Sequence, residues 1–377
     1  MNEYLYIENF GPIVEVEMKD IRPFTVFIGE SGSGKSTVMK VLSLFRWIYK
    51  RVNLRSYLKL SHIKKTRIVF KIKNLMKTSG ILDFLKSDSV IVYRRDGYEI
   101  RMENMKVVAK GDIELDNLCL DKICFISDKR SMIPDILGHG LDKRIANYYL
   151  QDTIDNFVLA TGSIKSFPMD YLGVDLKVEK SKSGAVAYKI VDRENDDYAI
   201  DMRYASSGMQ TASPVSVITE YFATNFDTKE SMNSSLFSYM QDVDNLKSFS
   251  TARDIGEITK RNVHIMIEEP ELSLYPESQK SLIDFLVYRC FNTPHDYNMT
   301  LMLATHSPYI LNYLNLLADR YDKGRDTLYK VPFENIGAYE IVDGLLYDLK
   351  IEGERKLVDS RSLSEPISSI YHEYNER

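Results

Sequence analysis

Thr25-Val26-Phe27-Ile28-Gly29-Glu30-Ser31-Gly32-Ser33-Gly34-Lys35-Ser36-Thr37 sets an apolar run against a glycine- and serine-rich turn closed by Lys-Ser. Residues 29–36 satisfy G-x-x-x-x-G-K-[ST] at every fixed position, and the 25–28 run reads as the strand that must precede the motif. Val38, Val41, Leu42, Phe45 and Ile48 follow at helical spacing, so the sequence predicts a strand–loop–helix unit. Such a loop turns successive backbone N–H groups inward around an anion, and the helix N-terminus adds the positive end of its dipole. Lys35 is placed to reach the β- and γ-phosphates of a nucleoside triphosphate, and Ser36 to ligate Mg2+. Gly29, Glu30, Ser31, Gly32, Ser33, Gly34, Lys35, Ser36 and Thr37 are the expected nucleotide-binding residues.

Composition sets outer limits. With 377 residues, 44% hydrophobic and 27% charged, the chain has the make-up of a soluble globular protein with a sizeable core. A net charge of −5 argues against wholesale coating of nucleic acid. The start, Met1-Asn2-Glu3-Tyr4-Leu5-Tyr6-Ile7, enters a strand-like pattern without a basic and then apolar leader, and no stretch approaches ~18 uninterrupted apolar residues. A cytoplasmic protein with no membrane partner is expected. Cys119, Cys124 and Cys290 form no C-x-x-C pair, so neither a disulfide framework nor a structural zinc site is supported.

Strand-like segments at Tyr4–Ile7, Val14–Met18 and Phe24–Ile28 lead into the loop. From Lys50 to Lys77 stand ten Lys or Arg and no acidic residue. This block reads either as a contact surface for a DNA backbone or as a solvated helical face. Ser89–Tyr93 and Tyr98–Met102 flank Arg94-Arg95-Asp96-Gly97, a hairpin signal, and Leu176–Val178, Val186–Ile190 and Tyr198–Tyr204 resemble further antiparallel strands. No fixed-period repeat or sustained heptad is present. Thr224–Asn262 is polar, as a helical lid or loop would be, and Asp343-Gly344 joins Ile336–Val342 to Leu345–Leu349 in another hairpin before an amphipathic end from Ser364 to Arg377.

Three further segments carry chemistry. His264-Ile265-Met266-Ile267-Glu268-Glu269-Pro270-Glu271 is an apolar strand delivering two adjacent carboxylates, of which Glu268 suits the metal and Glu269 the attacking water. Thr300-Leu301-Met302-Leu303-Ala304-Thr305-His306-Ser307-Pro308 is a second buried strand ending in a polar elbow, where His306 can donate to the γ-phosphate. Ala205-Ser206-Ser207-Gly208-Met209-Gln210 is a turn opening a helix, a second anion-ready site. Taken alone, each also reads more plainly: a capped strand end, a local histidine cap, an ordinary N-cap.

In this order the four motifs resemble the ABC-type ATPase heads of the SMC, RecF and OLD (overcoming lysogenization defect) class, over nearly the whole chain. Within that class Glu268-Glu269-Pro270-Glu271-Leu272-Ser273-Leu274-Tyr275-Pro276 is similar to the variant of OLD-like and phage-defence ATPases grouped as AAA proteins. Ile126-Ser127-Asp128-Lys129-Arg130-Ser131 resembles their strand-end Pro-Ala-Glu-Arg-Ser stretch. The resemblance implies one ABC-type P-loop head over 1–377. It would carry an inserted helical and antiparallel β region at 50–204, a lid at 219–262, and a C-terminal hairpin and helix at 330–377. It further implies ATP as substrate and Mg2+ as cofactor, with Lys35, Glu269 and His306 catalytic and Ser36 and Glu268 on the metal. Two heads would sandwich two ATP molecules, with Ser206, Ser207 and Gly208 acting in trans, in a homodimer or a higher even oligomer.

The chain also departs from that pattern. Ser127 or Asp128 stands where such heads carry a glutamine coupled to the metal, Gln151 lies well beyond, and Glu268 replaces the commoner aspartate, which implies slow turnover. OLD proteins add a Toprim nuclease with a glutamate and Asp-x-Asp; the one such pair here, Asp242-Val243-Asp244, precedes the carboxylate strand, so no nuclease is expected. The leading expectation is an ATP-driven sensor or switch in anti-phage defence with a separate nuclease or toxin as effector. A RecF-like DNA-repair head binding DNA through Lys50–Lys77 is the alternative. A transporter subunit fits the insertions less well, and a slowly hydrolysing ATP-bound scaffold is the non-enzymatic reading.

Overall fold

A computed structural model of the chain describes residues 1–60, 70–182, 184–194, 198–231, 234, 258–353 and 356–375. The chain opens with β1 (Glu3–Phe10), β2 (Ile13–Met18) and β3 (Phe24–Ile28), then the glycine-rich loop and the long helix α1 (Lys35–Leu60). After α2 (Ile72–Thr78) come β4 (Leu85–Arg95), β5 (Tyr98–Glu103), β6 (Lys106–Val108) and β7 (Cys119–Ile126). Next are α3 (Ile133–Leu137), α4 (Tyr148–Ser163) and the strands β8 (Ser166–Met169), β9 (Val174–Lys180), β10 (Val186–Asp192) and β11 (Ala199–Asp201). The remainder runs α5 (Ser207–Thr224), β12 (Lys260–Glu268), α6 (Pro276–Val287), β13 (Asn298–Ala304), α7 (Pro308–Asp322), β14 (Ile336–Val342), β15 (Leu345–Asp348) and α8 (Arg361–Asn375).

The principal sheet has eleven strands in the order β6-β5-β4-β1-β2-β15-β14-β3-β13-β12-β7. From β14 to β7 its neighbours are all parallel, as β–loop–helix crossovers require, while β6, β5, β4, β1 and β2 form an antiparallel wing. The C-terminal hairpin is the seam: β14 lies parallel to β3, and β15 turns back to meet β2. The last part of the sequence thus completes the middle of the sheet, not its edge.

Alternation along the parallel strands assigns the two faces. Val26, Ile126, Ile265, Ile267, Leu301 and Leu303 pack with α4 to α7, whereas Phe27, Phe125, Met266 and Met302 pack with α1 and the wing. Buried on both faces, β12 and β13 read as continuous apolar runs. The 50–204 span is divided: β4 to β7 lie in the principal sheet, and β8 to β11 form a separate four-stranded sheet. Within 219–262, Thr219–Thr224 remain in α5 and β12 already begins at Lys260. Met202–Tyr204, expected as strand, is a 3-10 turn. Asp242 and Asp244 lie outside the described residues, as do residues 61–69 of the basic block.

Candidate active site

The five parallel strands end on one rim, where β3 delivers the glycine-rich loop. Gly29 has φ 143°, and a Cβ there would sit 2.5 Å from the Ile341 carbonyl oxygen; at Gly34, φ 113°, a Cβ would meet Ile13 Cδ1 at 2.4 Å. The positive φ at both positions, and at Gly29 also the close approach of the β14 backbone, therefore demand glycine. Glu30, Ser31 and Gly32 are exposed, Thr37 is buried, and the Ser33 hydroxyl is buried without a hydrogen-bond partner. Lys35 Nζ donates to the carbonyls of Gly29 and Glu30, each at 2.8 Å. Burial pulls its pKa down, against the opposing pull of Glu269 and Glu271.

Glu268, the last residue of β12, is 2% exposed. Burial raises its pKa, while Lys40 and the Ser36 hydroxyl act against that rise. Lys40 Nζ lies 3.0 Å from Oε1, yet neither Glu268 oxygen receives a hydrogen bond of good geometry. Glu269 then turns the chain with φ 46°, a left-handed conformation that costs a non-glycine residue about 1–2 kcal/mol. Its N–H donates to the Ala304 carbonyl at 2.8 Å, tying it to the end of β13. Two residues beyond Ala304, His306 Nε2 faces Glu269 Oε1 at 3.7 Å. The elbow is held on three sides: Thr305 N–H donates to Phe27 O at 2.9 Å, His306 N–H to Glu271 Oε1 at 2.6 Å, and Ser307 Oγ to Gln279 Oε1 at 2.6 Å.

Behind the carboxylates stands Arg130, wholly buried at the end of β7. Its guanidinium donates to the carbonyls of Glu268 at 2.7 Å, Glu269 at 2.6 Å, Thr211 at 2.9 Å and Ser127 at 3.2 Å. Burial lowers its pKa to about 10, so it remains charged at neutral pH. One side chain thereby joins the carboxylate turn to α5, the helix that Ser206 caps through Oγ and the Met209 N–H. The Ser206-Ser207-Gly208 turn packs on the segment after Glu271: Thr211 Oγ1 donates to Leu272 O at 2.8 Å, and a Cβ on Gly208 would stand 2.8 Å from Ser273 O. Ser206 and Ser207 are exposed.

Residues 141–311, which hold the Ser-Ser-Gly turn, both carboxylates and His306, match the family model described as an AAA ATPase domain. The stretch similar to an AAA ATPase domain is somewhat less than half of the chain. Among solved structures it is similar to the SMC head domain from Thermotoga maritima, at 11% identity over 94% of this chain and 100% of that one, with a TM-score of 0.34. It is also similar to cbiO1 from Clostridium perfringens, part of the ABC transporter complex cbiONQ, at 11% identity over 100% of this chain and 96% of that one, with a TM-score of 0.31. No curated protein matched in sequence.

The fold brings Lys35, Ser36, Glu268, Glu269 and His306 to one rim. Three residues were not foreseen. Lys40 stands one turn after Ser36 on the same helical face, an i,i+4 relation legible in the sequence. Glu271 fixes the His306 backbone, and Arg130 acts through contacts too distant in sequence to be read there. Gln151 bonds Asp155 within α4 at 2.6 Å, whereas Asp128 is close enough to Glu268 to raise its pKa. Among the described residues no three His, Cys, Asp or Glu cluster to hold a metal by themselves. A cation here would draw on one buried carboxylate, one hydroxyl and the oxygens of a substrate phosphate. Glu268 with its ill-satisfied oxygens, beside Ser36, fits that donor set for Mg2+. Also among the described residues, no helix is long and apolar enough to cross a membrane.

Proposed function

We propose that the protein is a Mg2+-dependent ATP hydrolase that works as a switch between separate and paired heads. The buried Glu268 carboxylate with no well-aligned partner, set between Ser36 and Lys40 and followed directly by Glu269 and His306, carries this reading. The loop amides, Ser33 Oγ and Lys35 would hold the triphosphate, and Ser36 and Glu268 would hold Mg2+. When bound, Mg2+ supplies charge neutralisation at the β- and γ-phosphates. Glu269 takes a proton from the attacking water as the new oxygen–phosphorus bond forms, the bond to the ADP oxygen breaks, and phosphate leaves. His306, held at its backbone by Glu271, donates toward the γ-phosphate.

Pairing is supported by what surrounds the rim. Tyr204, Tyr275 and Tyr309 are 77%, 79% and 57% exposed, and they stand beside the Ser-Ser-Gly turn, the segment after Glu271 and the His306 elbow. Exposed aromatics grouped by sequence around three site loops suit a surface covered by a second head, whose Ser206, Ser207 and Gly208 would complete the nucleotide site. The anti-phage setting with a separate effector rests on the likeness of residues 268–276 to that class. For the DNA-binding alternative, Arg55 and Lys59 of the described part of the basic block both pair with Asp112, which leaves Lys71, Lys73 and Lys77, in and beside α2, as its exposed contacts among the described residues.

Light scattering of Glu269→Gln with and without Mg·ATP tests the switch. The substitution blocks proton removal, so ATP should convert a monomer to a dimer and hold it there. A mass unchanged by ATP would overturn the pairing.

A further inference from the structure

Away from the rim, α1, α2, α4 and β7 enclose a cavity of about 320 Å3. It begins at Ser43 and reaches Lys50, on the order of 20 Å along α1 from Lys35 at 1.5 Å per residue, so it is separate from the phosphate loop. Aromatic rings form part of its wall, among polar residues that include Ser43, Thr78 and Ser79. Trp47 comes from α1, Phe125 from β7, and Tyr148 and Tyr149 from α4; Phe125 and Tyr149 have ring centroids 4.2 Å apart, and Tyr148 meets Tyr149 edge-on at 5.2 Å. Tyr148 is 42% exposed and stands where the cavity meets solvent.

Two ammonium groups line the same space, and they are not equivalent. Lys122 donates to Asn156 Oδ1 at 2.9 Å and lies over the Phe222 ring, and Asp152, which accepts the Phe125 N–H at 3.1 Å, faces it electrostatically. Lys50 has no hydrogen bond or ion pair with another described residue. Burial pushes its pKa down to about 8; Lys122 and Arg51 push the same way, against Asp121 and Asp152. Lys50 is half-buried, so its ammonium is partly withdrawn from water without a protein carboxylate to pair it, a setting that favours an anion from outside. Here the side chain lines a space whose other walls include Trp47, Phe125, Tyr148 and Tyr149, in a volume suited to a molecule of one or two rings.

We propose that this cavity binds a small aromatic monoanion, with its ring against Trp47 and Tyr148 and its anionic group on Lys50 Nζ. One unpaired ammonium calls for one negative charge, and Asp152 disfavours a second. The site also adjoins the ATPase machinery. Tyr149 OH donates to the Lys40 carbonyl at 3.2 Å, its ring lies 5.6 Å from Lys40 Nζ, and that ammonium is 3.0 Å from Glu268 Oε1. An occupant that shifts Tyr149 therefore changes the setting of Glu268, a link that rests on the ATPase reading as binding itself does not.

Trp47 is the single tryptophan of the chain, so its fluorescence reports the cavity directly. Titration with 4-nitrobenzoate, a planar monoanionic quencher, should give saturable quenching, with 4-nitrobenzamide binding at least tenfold more weakly. Lys50→Met should weaken 4-nitrobenzoate at least tenfold, and Lys50→Arg should retain it. Linear quenching, equal for acid and amide, would overturn the site, and this comparison needs only the wild type should Lys50→Met fail to fold. Saturating 4-nitrobenzoate should also change the ATP hydrolysis rate of wild type at least twofold and leave Lys50→Met unaffected. An unchanged wild-type rate alongside saturable quenching would overturn the link to Glu268; saturable quenching in a protein that hydrolyses no ATP would leave the site standing and count against the ATPase reading alone.

Discussion

Glu3 and Glu268 are both buried glutamates on strands of one sheet, and their surroundings could hardly differ more. Glu3, in the antiparallel wing, accepts Arg46 Nε at 2.8 Å, Arg46 Nη2 at 2.6 Å and Tyr93 OH at 2.6 Å. Burial alone would raise its pKa, but Arg46, helped by His264 and Arg95, brings it down to about 2. At Glu268 burial wins, the pKa rises, and both oxygens lack a well-aligned donor. A carboxylate whose acceptor sites are filled by its own chain holds structure together; one left wanting on a rim of phosphate-binding loops is poised for a ligand.

The sharpest separation of the two roles comes from Glu269, which follows Glu268, and from Glu3 itself. Glu269→Gln should lower kcat by about 10^2 to 10^4-fold, the range for a general base, while shifting the urea midpoint little, because the site is over a third exposed. Glu3→Gln should do the reverse: it leaves the Arg46 charge buried without its partner and costs about 3–5 kcal/mol of stability, read by urea unfolding, with the hydrolysis rate of the folded fraction unchanged. A Glu3 variant of normal stability would break the contrast.

How much of this was legible follows from which contacts are local. The loop, its strand and its helix are contiguous, so residues 25–48 announced themselves, and Glu268, Glu269 and His306 ended apolar runs that read as buried strands. The wedge of β14 and β15 between β3 and β2 was hidden, because a hairpin signal at Asp343-Gly344 says nothing about which strands flank it. Arg130 was hidden for the same reason: three of its four carbonyl partners lie 81 to 139 positions away, and no periodicity links them. The buried polar network of the wing was likewise invisible in strands whose pattern showed only alternation.

The charges of that network reach His264 on the parallel strand β12, which gives stability a pH dependence. His264 is wholly buried; burial, then the nearby Arg46, lowers its pKa from 6.5 to about 4, with Asp121 opposing. The unfolded chain takes up the proton first as pH falls, so stability held above pH 6.5 is lost between 6.5 and 4, by about 3 kcal/mol at ~1.4 kcal/mol per unit. His264→Gln should flatten urea midpoints over that window. Glu3 adds its own loss at lower pH, from 4.5 down to about 2.

Arg130→Lys gives a smaller effect on the working side. Lysine keeps the charge but cannot serve four carbonyls at once, so Glu269 loses its brace. A fall in kcat of about tenfold to a hundredfold is expected with KM for ATP nearly unchanged, since the loop that binds phosphate is untouched. A rise in KM alone would place Arg130 in nucleotide binding instead.

The most direct test compares thermal unfolding of wild type, Glu268→Gln and Glu3→Gln, each with and without Mg·ATP. Glu268→Gln should be at least as stable as wild type without nucleotide, because it removes a poorly satisfied buried carboxylate, and should lose most of the stabilisation that Mg·ATP gives wild type. Glu3→Gln should unfold far earlier without nucleotide and keep its Mg·ATP shift. A Glu268→Gln protein that is destabilised like Glu3→Gln and still responds fully to Mg·ATP would contradict the account.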